Sequence, residues 1–182
     1  MKSRLALWAA AVLLAALALA GCAAAPTPAD YAAEKPVLDL KTWFNGELTA
    51  HGIFTDRAGK VARRFTVQMT GSWNGASGTL DERFTYSDGK TERRVWRLTD
   101  EGNGRWTGRA DDVVGVAEGR SAGNALNWKY TLSLPVDGKV YEVQFDDWMY
   151  LMDDQVMLNK AQMSKFGFHL GEVTLSFYKP AK

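Results

Sequence analysis

The sequence predicts an all-β domain, an antiparallel meander that closes into a barrel of about eight to ten strands. Three observations point there. Short segments alternate apolar and polar residues, tight glycine-bearing turns separate them, and no segment reads as a helix of more than about two turns. The clearest alternation is Arg63–Trp73: Phe65, Val67, Met69 and Trp73 share one face, and Arg64, Thr66, Gln68 and Ser72 the other. A meander this long is expected to close, because an open sheet leaves two edges of unpaired backbone groups. Seven Trp, eight Phe and six Tyr among 182 residues suit a sheet with a large apolar interior.

Residues 1–21 read as an address label. Lys2 and Arg4 precede Leu5–Leu19, a run of Leu, Ala, Val and Trp shorter than the roughly 20 residues that span a bilayer. The junction Leu19-Ala20-Gly21-Cys22 resembles the signal of bacterial lipoproteins. That resemblance implies cleavage before Cys22, a diacylglycerol on its thiol and an acylated amine; the plainer alternative is an ordinary signal peptide followed by a free cysteine. Ala23 rather than Asp follows it, which by analogy with lipoprotein sorting favours the outer membrane, facing the periplasm. Residues 22–36, with Pro26, Pro28 and Pro36, are expected to form a flexible lipidated tether, and residues 37–182 a single barrel domain.

Cys22 is the only cysteine, so no internal disulfide forms and stability must come from a core. A chain of this length buries roughly two-thirds of its unfolded surface. Losing Lys2 and Arg4 from 22 basic residues, against 21 acidic ones, leaves a near-neutral domain and argues against nucleic acid as a partner.

Within the domain, Asp39 is placed to cap a helical turn, Leu40–Asn45, ended by Gly46, with Trp43 and Phe44 set to plug one end of the barrel. Strands are then expected at Glu47–Thr55, Arg63–Trp73, Thr79–Tyr86, Thr91–Leu98 and Arg105–Asp111. Five more follow at Val113–Gly119, Asn124–Leu134, Val140–Leu151, Val156–Met163 and Glu172–Tyr178. Segments such as Asp56-Arg57-Ala58-Gly59, Ser87-Asp88-Gly89 and Asp137-Gly138 supply residues that tolerate the positive φ of hairpin turns.

Two hairpins fix a register. A three-residue Ser87-Asp88-Gly89 loop sets Phe84 against Glu92, Glu82 against Arg94 and Leu80 against Trp96. A two-residue Asp137-Gly138 turn sets Tyr130 against Phe145, Trp128 against Asp147 and Leu126 against Met149. Glu82, Arg94 and Asp147 thus face the interior. The stretch Gln144–Asp154 holds large apolar side chains between two Asp pairs, and a carboxylate buried there demands partners. Trp128, through its indole N–H, and Arg94 are the expected ones.

Arg94, Glu82, Asp147 and Trp128 therefore form the candidate ligand-binding set, a polar anchor on apolar walls that suits an amphipathic molecule with a carboxylate or phosphate near the arginine. The competing reading is a buried network that fixes strand register and binds nothing. His51 and His169, the only histidines, are isolated in sequence and are expected to be solvated. There is no Ser-His-Asp spacing, phosphate-binding glycine loop or HExxH helix, so neither an enzyme nor a cofactor or metal site is expected. The pairs Asp111-Asp112, Asp146-Asp147 and Asp153-Asp154 lack calcium-loop glycine spacing and are expected at strand ends and turns.

From about Asp39 to Pro180 the chain resembles a family of Gram-negative lipoproteins, domain of unknown function 3833. Asp56-Arg57-Ala58-Gly59-Lys60, Leu80-Asp81-Glu82-Arg83-Phe84 and Ala110-Asp111-Asp112-Val113-Val114-Gly115 carry the likeness. So do Gly123-Asn124-Ala125-Leu126, Asp146-Asp147-Trp148-Met149-Tyr150-Leu151-Met152-Asp153 and Ser164-Lys165-Phe166-Gly167-Phe168. The resemblance implies a lipid-anchored envelope protein and transfers no catalytic residue. The lipocalin- or calycin-like character of the barrel comes by fold analogy from the meander. Two functions follow as expectations: a barrel that binds or carries a lipid or other amphipathic molecule, or an interaction protein with a filled core and exposed aromatics such as Trp148 and Tyr150.

Overall fold

The computed structural model describes residues 24–136 and 138–181. The expected signal segment, the lipidation site Cys22 and turn residue Asp137 lie outside the described residues. Ten strands form a closed barrel: β1 Gly46–Asp56, β2 Val61–Asn74, β3 Ser77–Tyr86, β4 Thr91–Gly102 and β5 Arg105–Arg109, then β6 Ala117–Ala122, β7 Ala125–Val136, β8 Lys139–Leu151, β9 Val156–Lys165 and β10 Phe168–Tyr178. Each pairs antiparallel with its chain neighbours, and β1 closes the circle on β10.

The hairpins take the predicted register. Gly89 adopts φ 81°, and Glu82 faces Arg94 while Leu80 faces Trp96. Across the other hairpin, Trp128 pairs with Asp147 and Leu126 with Met149. The inward alternation of β2 holds as well, with Val67 and Met69 fully buried.

Several strand boundaries differ from expectation. Instead of a strand over Val113–Gly119, Gly115 turns the chain at φ 72°, Val113 keeps one isolated bridge to Leu132, and β6 starts only at Ala117. The strand before it ends at Arg109, which frees Asp111 and Asp112 for a loop. The final strand begins four residues early, at Phe168, because Phe166 and Gly167 form its turn with φ 51° and 78°. His169 is therefore a strand residue paired with Ser164. A register shift between His169 and Gly171 breaks the alternation there and hides the strand from a period-two reading.

One end of the barrel is closed. The helical turn α1, Leu40–Trp43, is capped by the Asp39 side chain, which accepts from the Lys41 N–H. Leu40, Trp43 and Phe44 are buried among Leu48, Met69 and Phe177. Lys179 Nζ donates to the carbonyls of Thr42, Trp43 and Asn45, satisfying acceptors where the turn ends. On the same end, within the expected tether, Pro28–Tyr31 forms a 3-10 turn. Its Tyr31 ring lies 5.8 Å from Trp148 and 5.3 Å from Tyr150, and its hydroxyl 3.3 Å from that of Tyr150. Trp148 and Tyr150, stacked on each other and covered by Tyr31, are half-buried rather than exposed.

Candidate functional site

The opposite end carries the β1–β2, β3–β4, β5–β6, β7–β8 and β9–β10 connections and opens into a cavity of about 1230 Å³. The cavity reaches from Leu40 and Phe44 of the plug to Val136 and Tyr141 at the mouth. Phe84, Trp96, Leu98, Tyr130, Phe145 and Val173 give it apolar walls. Phe166 and Phe168, 84% and 74% exposed, and Val140 add apolar side chains at that end of the barrel. All four residues expected to anchor a ligand, Arg94, Glu82, Asp147 and Trp128, line this one cavity.

Arg94 reaches the interior because its partner in register is Glu82, but its closest contact is another carboxylate. Its Nε lies 2.9 Å and its Nη2 2.7 Å from Oδ2 of Asp112, in the β5–β6 loop, whereas Nη1 is 3.8 Å from Glu82 Oε2. The loop is held in place by its backbone too, since Ser133 N–H donates to the Asp112 carbonyl at 2.9 Å. Burial works against the Arg94 charge, yet the Asp112 hydrogen bonds and the Glu82 charge prevail and raise its pKa. Burial pushes Glu82 up to about 7, with the Arg94 charge opposing that rise.

Asp147 is buried and finds a partner that the sequence reading missed. Asn159 of β9 donates from Nδ2 to Asp147 Oδ1, and the same amide reaches the Trp148 carbonyl at 3.3 Å. The β8–β9 register explains the meeting: Asp147 pairs with Ala161 and Met149 with Asn159, so Asn159 sits diagonally across from the carboxylate. The expected donor, the Trp128 indole, instead packs edge-on to Trp96 at 5.7 Å. Burial pushes Asp147 up to about 7; the Asn159 hydrogen bond lowers it, and the Glu82 and Asp146 charges add to the rise.

Gly108 and Gly119 make the place for Trp128. A Cβ at Gly108 would lie 2.7 Å from its ring, and one at Gly119 would meet the ring more closely still. Two strands thus give up side chains so that one indole can lie flat on the wall.

The remaining candidates sit elsewhere. His51 is exposed on the outer face, beside a separate depression of about 590 Å³ that includes Arg64 and Thr66, and His169 is also exposed. Asp111 pairs with Arg97 at 3.0 Å, Asp146 accepts from Asn127 at 2.6 Å, and Asp153 accepts from the N–H groups of Gln155 and Val156. Asp111-Asp112 and Asp153-Asp154 lie in a loop and a turn as expected, whereas Asp146-Asp147 lies in the middle of β8 and not at a strand end. Asp112 joins the site from its loop, and its membership of an Asp pair between two strands was the one sequence signal that marked it.

A family model described as "Protein of unknown function (DUF3833)" matches residues 16–179. The chain belongs to the DUF3833 family. Comparison of this DUF3833 chain with curated proteins gives no match. Among solved structures it is similar to EF1p2_mFAP2b bound to DFHBI, at 11% identity and a TM-score of 0.46, over 76% of this chain and 95% of that one. It is also similar to a protein of unknown function from the DUF3598 family of Nostoc punctiforme PCC 73102. There the identity is 13% and the TM-score 0.50, over 86% of this chain and 53% of that one. This second likeness shows the fold alone, and the DUF3833 chain spans about half the Nostoc protein's length.

Proposed function

We propose that this DUF3833 protein is a lipid-anchored envelope protein that holds a lipid or other amphipathic small molecule in its barrel. The cavity carries the reading. Ligand sites of roughly 300–1,000 Å³ accommodate drug-sized molecules, and about 1230 Å³ of largely apolar-walled space with polar groups set into it is ample for an acyl chain and its head. A network that only fixes register needs no such empty volume beside it. The lipobox-like junction at Cys22 and Ala23 supports an outer-membrane anchor, since several acyl chains hold far more durably than one.

Native mass spectrometry of protein gently extracted from membranes tests the binding reading. A mass increment that organic extraction removes is the expected result; extracted protein that carries no adduct overturns it. Intact-mass analysis tests the anchor separately, where an unmodified Cys22 in the membrane-extracted protein would remove that half of the proposal.

The exposed Phe166 and Phe168 favour a second reading, in which the barrel contacts an envelope partner through its β9–β10 turn. Phe166→Ser with Phe168→Ser separates the two: loss of a partner in crosslinking with lipid binding intact supports contact, and loss of lipid with no partner supports uptake through that side.

A further inference from the structure

On the reading that the cavity binds an amphipathic molecule, we infer that the polar end of that ligand is a hydrogen-bond donor bearing positive charge, a protonated amine, received by Glu82, Asp147 and Asn159. An acid received by Arg94 is the obvious alternative, and the geometry disfavours it. Arg94 directs Nε and Nη2 at Asp112, with distances of 2.9 and 2.7 Å to one oxygen, and turns Nη1 toward Glu82. An incoming carboxylate must displace Asp112 from a bidentate pair and then lie beside two further carboxyl groups. Glu92, Asp111, Arg63, Arg93 and Lys165 also line the cavity, but the inner cluster that interacts with Arg94 sets three carboxyl groups, Glu82, Asp112 and Asp147, against its one guanidinium. A fourth anion raises that imbalance; an ammonium relieves it.

The acceptor side, by contrast, is open. Asn159 is 3% exposed and lines the cavity, and its Oδ1 is buried without a hydrogen-bond partner. The amide orientation is fixed, because Nδ2 serves both Asp147 Oδ1 and the Trp148 carbonyl, and only a nitrogen can donate to both. A buried carbonyl oxygen with no donor is costly, and a ligand N–H supplies the donor. The carboxyl groups beside it agree: burial pushes Glu82 and Asp147 up to about 7, as expected of carboxyls short of positive charge.

Three probes of one chain length decide the matter, namely dodecylamine, dodecanol and dodecanoate below their micellar concentrations, titrated into the delipidated full chain at pH 7. Trp96 and Trp128 in the wall report binding by fluorescence, with calorimetry as a check. Dodecylamine is expected to bind at least about tenfold tighter than dodecanoate, the equivalent of one charge-assisted hydrogen bond. Glu82→Gln should weaken the amine about tenfold and the uncharged dodecanol much less, and an unchanged near-ultraviolet circular dichroism spectrum shows that the variant's fold is intact. Dodecanoate binding as tightly as the amine, or an amine indifferent to Glu82→Gln and to Asp147→Asn, overturns the inference while leaving the cavity reading standing. If none of the three probes binds, the cavity reading itself falls and the inference with it.

Discussion

Arg94 and Asp112 meet at the barrel wall, with Nη2 2.7 Å from Oδ2, although they lie on β4 and in the β5–β6 loop and only Glu82 faces Arg94 in strand register. The loop carboxylate thereby takes the bidentate edge of the guanidinium, and the strand carboxylate is left with a longer contact of 3.8 Å. A single cation organises two acids with different duties. Asp112 is 38% exposed and pins a loop, whereas Glu82 is 12% exposed and looks into the cavity.

Removing the cation should therefore cost more than removing the exposed acid. Arg94→Met strands Glu82 with Asp147 nearby, and a destabilisation of about 2–4 kcal/mol is expected. Asp112→Asn loses a partly solvated pair and is expected to cost about 1 kcal/mol. Adding Glu82→Gln to Arg94→Met should restore part of the loss, since it removes the uncompensated charge. Urea unfolding at pH 7.5 measures all three; equal losses for the two single variants would show that Asp112, not Glu82, is the main creditor of Arg94.

A second expectation concerns pH. The folded pKa values of Glu82 and Asp147, pushed by burial to about 7, lie above their ordinary 4.5 and 3.8. The native state then holds protons that the unfolded chain releases, so their contribution is fully present below about pH 4, falls as pH rises toward about 7 and is level beyond. Asp81, Asp88 and Asp100 are held low by hydrogen bonds from Arg93, Arg63 and Lys41 and act in the opposite sense, below 3.8. Thermal unfolding should thus occur at a higher temperature at pH 5.5 than at pH 8. Glu82→Gln should stabilise by roughly 1–3 kcal/mol at pH 8 and hardly at all at pH 4. A variant with the wild-type pH slope would contradict this.

Much of the barrel was legible in the sequence, because period-two alternation and turn glycines act locally, and local signals survive without a structure. Glu82 opposite Arg94 and Trp128 opposite Asp147 followed from counting outward from two turns. What stayed hidden depends on the return of distant chain. Asp112 reaches Arg94 only because β5 stops at Arg109 and Gly115 turns the loop back. Asn159 reaches Asp147 through the β8–β9 register, and the turn there, Met152–Gln155, carries no glycine or asparagine from which to count. Tyr31 reads as part of the tether, since nothing local announces that its ring will cover Trp148 and Tyr150.

The seat of Trp128 makes a third prediction. Gly119 lies against its ring, so Gly119→Ala must displace an indole that also packs edge-on to Trp96. Overpacking of this kind costs about 1–3 kcal/mol. Loss of near-ultraviolet circular dichroism should accompany it, as the two indoles lose their fixed geometry. A variant with full stability and an unchanged aromatic spectrum would mean that Trp128 has another place to go.

The last prediction isolates the hydrogen bond to Asp147 from the packing around it. Asn159→Leu keeps the side-chain volume close to that of the amide and removes the donor, leaving the Asp147 carboxylate buried with its strongest local partner gone. At pH 8, where Asp147 is ionised, the expected cost is roughly 1–3 kcal/mol, the penalty of an unsatisfied buried acceptor. At pH 5 the carboxyl is protonated in the folded state, and the variant should approach wild-type stability. Asp147→Asn combined with Asn159→Leu should erase the pH dependence of the difference, because no charge remains to be orphaned. Urea unfolding at the two pH values decides it. A loss of equal size at both would assign Asn159 to packing alone and would leave the raised Asp147 pKa to burial and the neighbouring carboxylates.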